Sequence, residues 1–366
     1  MIRTLLVDDE KPARERLRQM LASFEDVEVI AEAVDGEEAI EKSATFSPDL
    51  VFLDIQMPGR NGLDVAASLS APRPHVIFCT AFDQYAIEAF DIHAVDYLLK
   101  PVNRSRLAKA VSRVRESLTR MAVMDRDLQS AGEVQARLFP QTLPTVPGLD
   151  YQVFSRPART VNGDYYDFLP LKDGKLAIAL GDVSGKGIPA GLLMASLQGR
   201  VQSHAPLRGE GVGTLVTDLN RMMSVSTDSK SYVTFFYAVY DSTRHSLAYV
   251  NAGHNPPLLF RPGLEEPVRL STGGMVIGLF TEAEYSQETI RLEPSDVLVC
   301  YTDGISEAAN LDGEEFGESR LSRLVSSHRE KNASGILEAL MNELSGFVDG
   351  TTQQDDQTAL VVKVNL

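Results

Sequence analysis

Four apolar runs in the first 101 residues end in side chains that bind cations or phosphoryl groups. VDDE closes one with Asp8 and Asp9, FLD closes another with Asp54, HVIFCT ends on Thr80, and YLLKP ends on Lys100. Three carboxylates converging at one edge repel one another unless a hard cation sits among them, and oxygen ligands of this kind suit Mg2+. A lysine ammonium and a threonine hydroxyl beside them could hold the oxygens of a phosphoryl group. The chemistry is attack by one carboxylate on a phosphodonor, giving an aspartyl phosphate. Singly these residues say little, since Asp9-Glu10-Lys11-Pro12 also reads as a helix cap. The set says more.

A second group of acids stands at widely separated turns: NGDYYDF (Asp164), LGDVSGKG (Asp182), YTDGISEA (Asp303) and QQDDQT (Asp355, Asp356). Any one Asp-Gly turn is common structural punctuation. No histidine or cysteine stands at zinc-like spacing, so the ligands are all oxygen, suiting Mg2+ or Mn2+. Carboxylates from opposed strands could hold two ions about 3.5–4 Å apart, which acidify bound water and clamp a phosphoryl group for in-line displacement. No protein nucleophile is then required, and Ser184 has no identifiable base beside it. His254 reads as a packed histidine bonded to backbone rather than as an acid. Lys186, Arg156 and Arg159 could bind substrate phosphate or simply be surface residues.

Two kinds of scaffold must position these groups. Residues 1–120 alternate apolar runs (2–7, 27–31, 49–53, 75–79, 95–99) with amphipathic stretches such as Leu17, Met20, Leu21 and Phe24. Five β-α repeats predict a doubly wound parallel sheet, whose functional residues gather at the carboxyl ends of its strands. From Asn103 to about Phe139 the pattern is helical. Val111, Val114, Leu118 and Met121 form a stripe, continued in a shifted frame by Met124, Leu128, Ala131 and Leu138. A helix this long is expected to lack a neighbour of its own, and to pair with a second copy as a coiled coil or pack on the second domain. The prolines of LFPQTLPTVPG end it. Beyond them, strands at 175–182, 231–241, 246–253 and 296–304 and helices at 188–204, 211–224 and 333–348 predict an α+β domain. The expected divisions are 1–120, a helical linker at 121–143, and 144–366.

Of the 366 residues 43% are hydrophobic and 23% charged, ordinary for globular domains. A net charge of −16 argues against a nucleic-acid surface. No apolar run reaches the ~18–20 residues of a membrane span, and the first residues lack a secretory signal's apolar stretch, so a cytosolic protein is expected. Cys79 and Cys300 end apolar runs and read as small buried hydrophobes.

VDDE, FLDIQMPGRNGLD, CTAF and YLLKP, in that order, resemble the receiver domains of two-component response regulators over roughly residues 1–120. The resemblance implies Asp54 as phosphoacceptor, and Asp8, Asp9, Asp54 and the main-chain carbonyl of Gln56 as ligands of a Mg2+ ion. It implies Thr80 and Lys100 on the phosphoryl group and Tyr97 as an aromatic that changes rotamer on activation. FDQYAIEAFDIHAVDYLLKP looks like receivers that precede LytTR-type DNA-binding domains, which the remainder of the chain does not resemble.

VNGDYYDF, GDVSGKGIPAGLLMA, NAGHNPPLL, YTDGISEA and DDQTALVV resemble, in order, the PPM phosphatases of the bacterial sporulation and stress-response branch, over roughly 145–366. The implied fold is a β-sandwich flanked by helices. The implied ligands of two Mn2+ or Mg2+ ions are Asp182 as bridge with the carbonyl of Val183, Asp164 at the first ion, and Asp303 and Asp355 at the second. Asp355 is preferred to Asp356 because the family ligand is the first of the pair. Asn162 departs from the family's usual glycine, and GGMVIGLF matches only loosely.

The two resemblances together imply a multidomain response regulator. A histidine kinase or phosphotransfer protein would phosphorylate Asp54, and the helix, in a homodimer, would pass the change to a protein serine/threonine phosphatase. The branch implies a STAS-type anti-sigma-factor antagonist as substrate. The alternative is a catalytically silent adaptor with the same fold.

Overall fold

The computed structural model describes every residue except 71, 83, 86–91, 93, 210 and 366. Two compact units emerge, Met1–Asp125 and Arg126–Leu366, dividing inside a helix.

In the first unit β1 (Ile2–Val7), β2 (Val27–Ala33), β3 (Leu50–Leu53), β4 (His75–Thr80) and β5 (Asp96–Leu99) form a sheet in the order β2-β1-β3-β4-β5. Every pairing is parallel. Alternation within the strands splits their side chains between two cores. Leu6, Phe52, Ile77 and Leu98 face one, with Leu17, Met20 and Leu21 of α1 (Lys11–Leu21). Leu5, Val51, Leu53 and Phe78 face the other, against α2 (Gly36–Phe46) and α3 (Gly62–Ser68). Asp35 and Asn61 cap α2 and α3 by accepting from backbone N–H groups of the first turn. The segment FDQYAIEAFDIHAV, where the fourth helix of the repeat is expected, falls partly outside the described residues.

The long helix α4 runs from Arg104 to Ala136 without interruption. Its first turns are not unpartnered, contrary to the expectation from the sequence. Leu107, Ala110, Val111 and Val114 are fully buried in the first unit's core, with Leu118 packed at its margin. The exposed apolar residues begin only at Met121, Val123 and Met124. Asp96, buried at the start of β5, pairs with both Arg106 and Arg113 of α4, at 3.1 and 3.0 Å. Those two arginines therefore anchor α4 to the sheet.

The second unit contains two sheets. β7 (Asp164–Pro170), β8 (Lys175–Val183), β9 (Val233–Asp241), β10 (Ser246–Ala252) and β13 (Gly273–Gly274) form one in the order β13-β10-β9-β8-β7, with β14 (Glu288–Arg291) also on β10. β6 (Leu149–Arg156), β11 (Leu258–Phe260), β12 (Val268–Arg269), β15 (Val297–Tyr301) and β16 (Gln357–Val364) form the other, ordered β12-β11-β15-β16-β6. Period-two patterning explains the layers. Leu176, Ile178 and Leu180 of β8 meet Leu360 and Val362 of β16 between the sheets. Ala177 and Ala179 face outward to α5 (Ile188–Arg208) and α6 (Val212–Ser224). Ala359 and Val361 face α8 (Gly317–His328) and α9 (Ala333–Phe347) on the opposite side, with α7 (Asp303–Ser306) a single turn after β15. Helix α8 is not among the elements expected from the sequence, although Leu321, Leu324 and Val325 give it an i, i+3, i+4 buried face.

Candidate active sites

At the carboxyl edge of the first unit's sheet, Asp8 and Asp9 follow β1 and Asp54 follows β3, and parallel pairing of those strands brings them together. Ligand oxygens of Asp8, Asp9 and Asp54 lie within 4.8 Å of one another. Lys100 Nζ sits 2.6 Å from Asp54 Oδ2 and 2.7 Å from Asp8 Oδ2. Burial raises the Asp8 carboxyl above its ordinary range, with Lys100 opposing. Burial alone would depress Lys100, but its bonds to Asp54 and Asp8 win and hold it above the usual lysine value. Thr80 is fully buried, and its hydroxyl has no hydrogen-bond partner among the described residues, so an acceptor such as a phosphoryl oxygen would satisfy it. Tyr97 is nearly buried, its hydroxyl donating to the carbonyl of Phe82. The Gln56 N–H lies 3.3 Å from Asp54 Oδ1. Gly62 allows α3 to start here, because a Cβ there would overlap the Asp54 carbonyl.

In the second unit Asp164 begins β7 and Asp182 nears the end of β8, and antiparallel register sets them opposite one another. Asp303 follows β15, and Asp355 and Asp356 precede β16; the β15–β16 pairing carries these to the same end of the sandwich. Asp164 is almost fully buried and is pushed well up by desolvation and then by Asp182. Asp182 is pushed up to about 7, by burial first and then by the charges of Asp303, Asp355 and Asp356, with Lys186 opposing. Asp303 is raised by burial and Asp355. A cluster of oxygen donors that suppress one another's ionisation fits a divalent cation, which would restore the charged forms. Among the described residues, only Asp8, Asp9 and Asp54 bring three ligand oxygens within 4.8 Å; the acids of the second unit are spread more widely.

The two adjacent acids differ in use. Asp356 accepts from the N–H groups of Ala158 at 2.7 Å and Gly163 at 2.5 Å. Asp355 instead pairs with Lys186 at 2.7 Å, and Lys186 also donates to the Gln354 carbonyl. Gly304 is demanded by packing, since a Cβ there would overlap the Asp356 carbonyl. A polar groove of about 490 Å3 opens beside Asp355, lined in part by Arg156, Lys186, Glu307 and Gln353. Arg159 and Ser184 are exposed or partly so, and Ser184 accepts from the Tyr232 N–H. His254 is buried, its ring meeting the hydroxyl of Thr234 at 2.8 Å with the Tyr301 backbone also against it, a packed histidine rather than an exposed acid.

The sequence reading did not single out Thr302 or Gln135. Thr302 donates to Asp164 Oδ2 at 2.9 Å, and Gln135 bonds both backbone groups of Asn162. The position of Thr302 beside Asp303 was a usable signal. Nothing local marks Gln135.

Residues 4–112 match the response regulator receiver domain. Residues 172–365, more than half of the chain, match stage II sporulation protein E. The chain belongs to the SpoIIE family. Its SpoIIE-family region is a PPM-type phosphatase domain, fused here to a receiver. Over 237 residues the chain is 30% identical to phosphoserine phosphatase RsbU of Bacillus subtilis, covering 65% of this chain and 70% of that protein. Over 119 residues it is 50% identical to an uncharacterized response regulatory protein of Yersinia pestis, covering 32% of this chain and 50% of that one. The SiaA-PP2C domain of Pseudomonas aeruginosa shares the fold, with a TM-score of 0.60 at 20% identity over 67% of this chain and 98% of that one. The chain spans about half the length of several curated relatives that it matches. Among the described residues no helix is long and apolar enough to cross a membrane.

Proposed function

We propose that this SpoIIE-family chain is a cytosolic response regulator in which phosphorylation of Asp54 controls hydrolysis of phosphoserine or phosphothreonine on a protein. The observation that carries the reading is the charge-coupled set of Asp164, Asp182, Asp303 and Asp355, with Asp182 raised to about 7. Asp164, Asp182 and Asp303, raised by burial and by neighbouring carboxylates, are costly to keep in a fold unless cations neutralise them. The family's metal dependence and a relative named phosphoserine phosphatase support the same reading. The resemblance to the sporulation and stress-response branch supports, as substrate, a phosphorylated STAS-type anti-sigma-factor antagonist.

Asp182 would hold both Mn2+ or Mg2+ ions, aided by the Val183 carbonyl, with Asp164 serving the first and Asp303 and Asp355 the second. Bound there, the ions supply a positive clamp for phosphoryl oxygens and acidify a water. Asp356, committed to two backbone N–H groups, fixes the loop before β7 and leaves the ligand position to Asp355. Lys186 offsets the negative field at Asp355 and stands where an incoming phosphate would meet a cation. The lining of the adjacent groove by both signs of charge suits a polypeptide flanking the phosphoresidue.

In the receiver, Asp8, Asp9 and the Gln56 carbonyl would hold Mg2+ beside Asp54. A histidine kinase or phosphotransfer protein would supply the phosphoryl group. Lys100 and the unpartnered Thr80 hydroxyl would bind its oxygens, drawing Tyr97 into a new rotamer. Helix α4, dimerised within the 121–143 linker that it enters and that continues past its end at Ala136, would carry the change between domains 1–120 and 144–366. The test is Mn2+-dependent hydrolysis of a phosphoserine protein with and without beryllofluoride, taking Asp182→Asn as blank. Activity that beryllofluoride alters and the blank lacks is expected. Metal binding without hydrolysis in either state would favour a silent adaptor.

A further inference from the structure

Gln135 is the penultimate residue of α4 and is buried, with 7% of its surface exposed. Its side-chain amide pairs with a single residue's backbone as a neighbouring strand would: Nε2 donates to the Asn162 carbonyl at 2.7 Å, and Oε1 accepts from the Asn162 N–H at 2.7 Å. A flipped amide would set donor against donor, so the pairing fixes its orientation. One turn earlier, a Cβ on Gly132 would overlap the Thr160 carbonyl, and one on Gly191 of α5 would overlap Val161. The helix end is therefore seated directly on the loop that leads into β7.

Asn162 passes that constraint onward with its own side chain. Its Oδ1 accepts from the Asp164 N–H at 2.9 Å, and its Nδ2 donates to Ser155 Oγ at 3.1 Å. Ser155 Oγ meets Thr358 Oγ1 at 3.0 Å, and the Thr358 N–H donates to Thr302 Oγ1 at 3.0 Å. Thr302 in turn donates to Asp164 Oδ2 at 2.9 Å. Asp164 is thus held at both backbone and carboxylate by one closed network, and Asn162 is the member that ties it to α4. A glycine at 162 could accept the helix but could not bond Asp164.

We propose that Gln135 is a positioning residue for the phosphatase metal site, acting through Asn162 to fix Asp164. This rests on the reading of Asp164 as a metal ligand. Residues that orient ligands from behind typically change metal affinity or activity by about 10–100-fold when removed.

The experiment is Mn2+ titration of the full chain by calorimetry, alongside kinetics on a phosphoserine peptide, for wild type, Gln135→Met, Asn162→Gly and the double variant. Gln135→Met keeps the side-chain volume and removes both hydrogen bonds. Each single variant is expected to weaken Mn2+ binding about tenfold and to lower kcat with peptide KM unchanged. The double variant should be no weaker than the worse single one, because the two residues act in series. Mn2+ affinity within twofold of wild type in Gln135→Met, with only its unfolding midpoint lowered, would overturn the proposal, as would additive losses. Should Gln135→Met fail to fold, Asn162→Gly decides alone, and unchanged Mn2+ affinity there overturns it. Mn2+ affinity that falls in Gln135→Met, in a protein whose wild type hydrolyses no phosphoserine substrate, would leave this inference standing and sink the proposed function instead.

Discussion

Asp164 and Asp182 stand directly opposite each other on adjacent antiparallel strands, two carboxylates in a cross-strand pair. Like charges so placed destabilise a sheet, and the folded chain keeps them by holding both well above their ordinary range.

Replacing one of the pair should therefore stabilise the metal-free protein. Asp182 titrates near 7 when folded, against 3.8 for an unperturbed aspartate. Its contribution is complete below 3.8 and is lost as pH rises through 7, an effect of at most about 4 kcal/mol. In EDTA at pH 8, Asp182→Asn should resist urea better than wild type, with the gap closing toward pH 4. Mn2+ should narrow it at pH 8, because binding favours the folded wild type. Parallel stability curves for the two proteins would show that Asp182 is not strained by its neighbours.

His254 gives the opposite slope. Burial depresses its ring to about 4 from 6.5, the nearby backbone of Tyr301 working the other way. Its stability contribution is full above 6.5 and falls by about 3 kcal/mol as pH drops to 4, where unfolded histidine takes up a proton that the folded ring refuses. His254→Gln should flatten the wild-type curve across that window. An unchanged slope from pH 6.5 to 4 would mean the ring is accessible to protons.

In the receiver, Lys100 occupies the space between Asp8 and Asp54 as a cation would, at 2.7 and 2.6 Å. Lys100→Met should raise Mg2+ affinity on the order of tenfold, about 1.4 kcal/mol, while abolishing the response to beryllofluoride. Calorimetry with Mg2+ reads the first effect. Weaker Mg2+ binding in the variant would mean that Lys100 organises the acids rather than competing for them.

Met121 and Met124 are each more than half exposed on α4. If they form the dimer seam, Met121→Glu with Met124→Glu should lower the mass of the full chain in light scattering at matched concentration. An unaltered mass would remove these two residues from any self-association.

Much of both domains could be read from residues alone because their signals are local. Apolar runs with period two and acids at strand ends announce a sheet and its functional edge, and β1, β4, β9 and β15 fall on runs visible in the chain. Helix α8 escaped because its buried face is only Leu321, Leu324 and Val325 within a polar stretch. The burial of Val111 and Val114 escaped because a stripe does not say which core will receive it.

The sequence by itself determined residue type and order: oxygen and ammonium donors at strand ends in the first domain, a row of isolated aspartates in the second, and a helix between them. These follow from local periodicity and side-chain chemistry, which any stretch of chain carries with it. Tertiary structure decided what depends on partners distant in the chain. Register set Asp164 against Asp182, while backbone N–H groups from Ala158 and Gly163 claimed Asp356 and left Asp355 to Lys186. The pairing of Gln135 with Asn162, 27 residues away, exists only once α4 has docked on its loop.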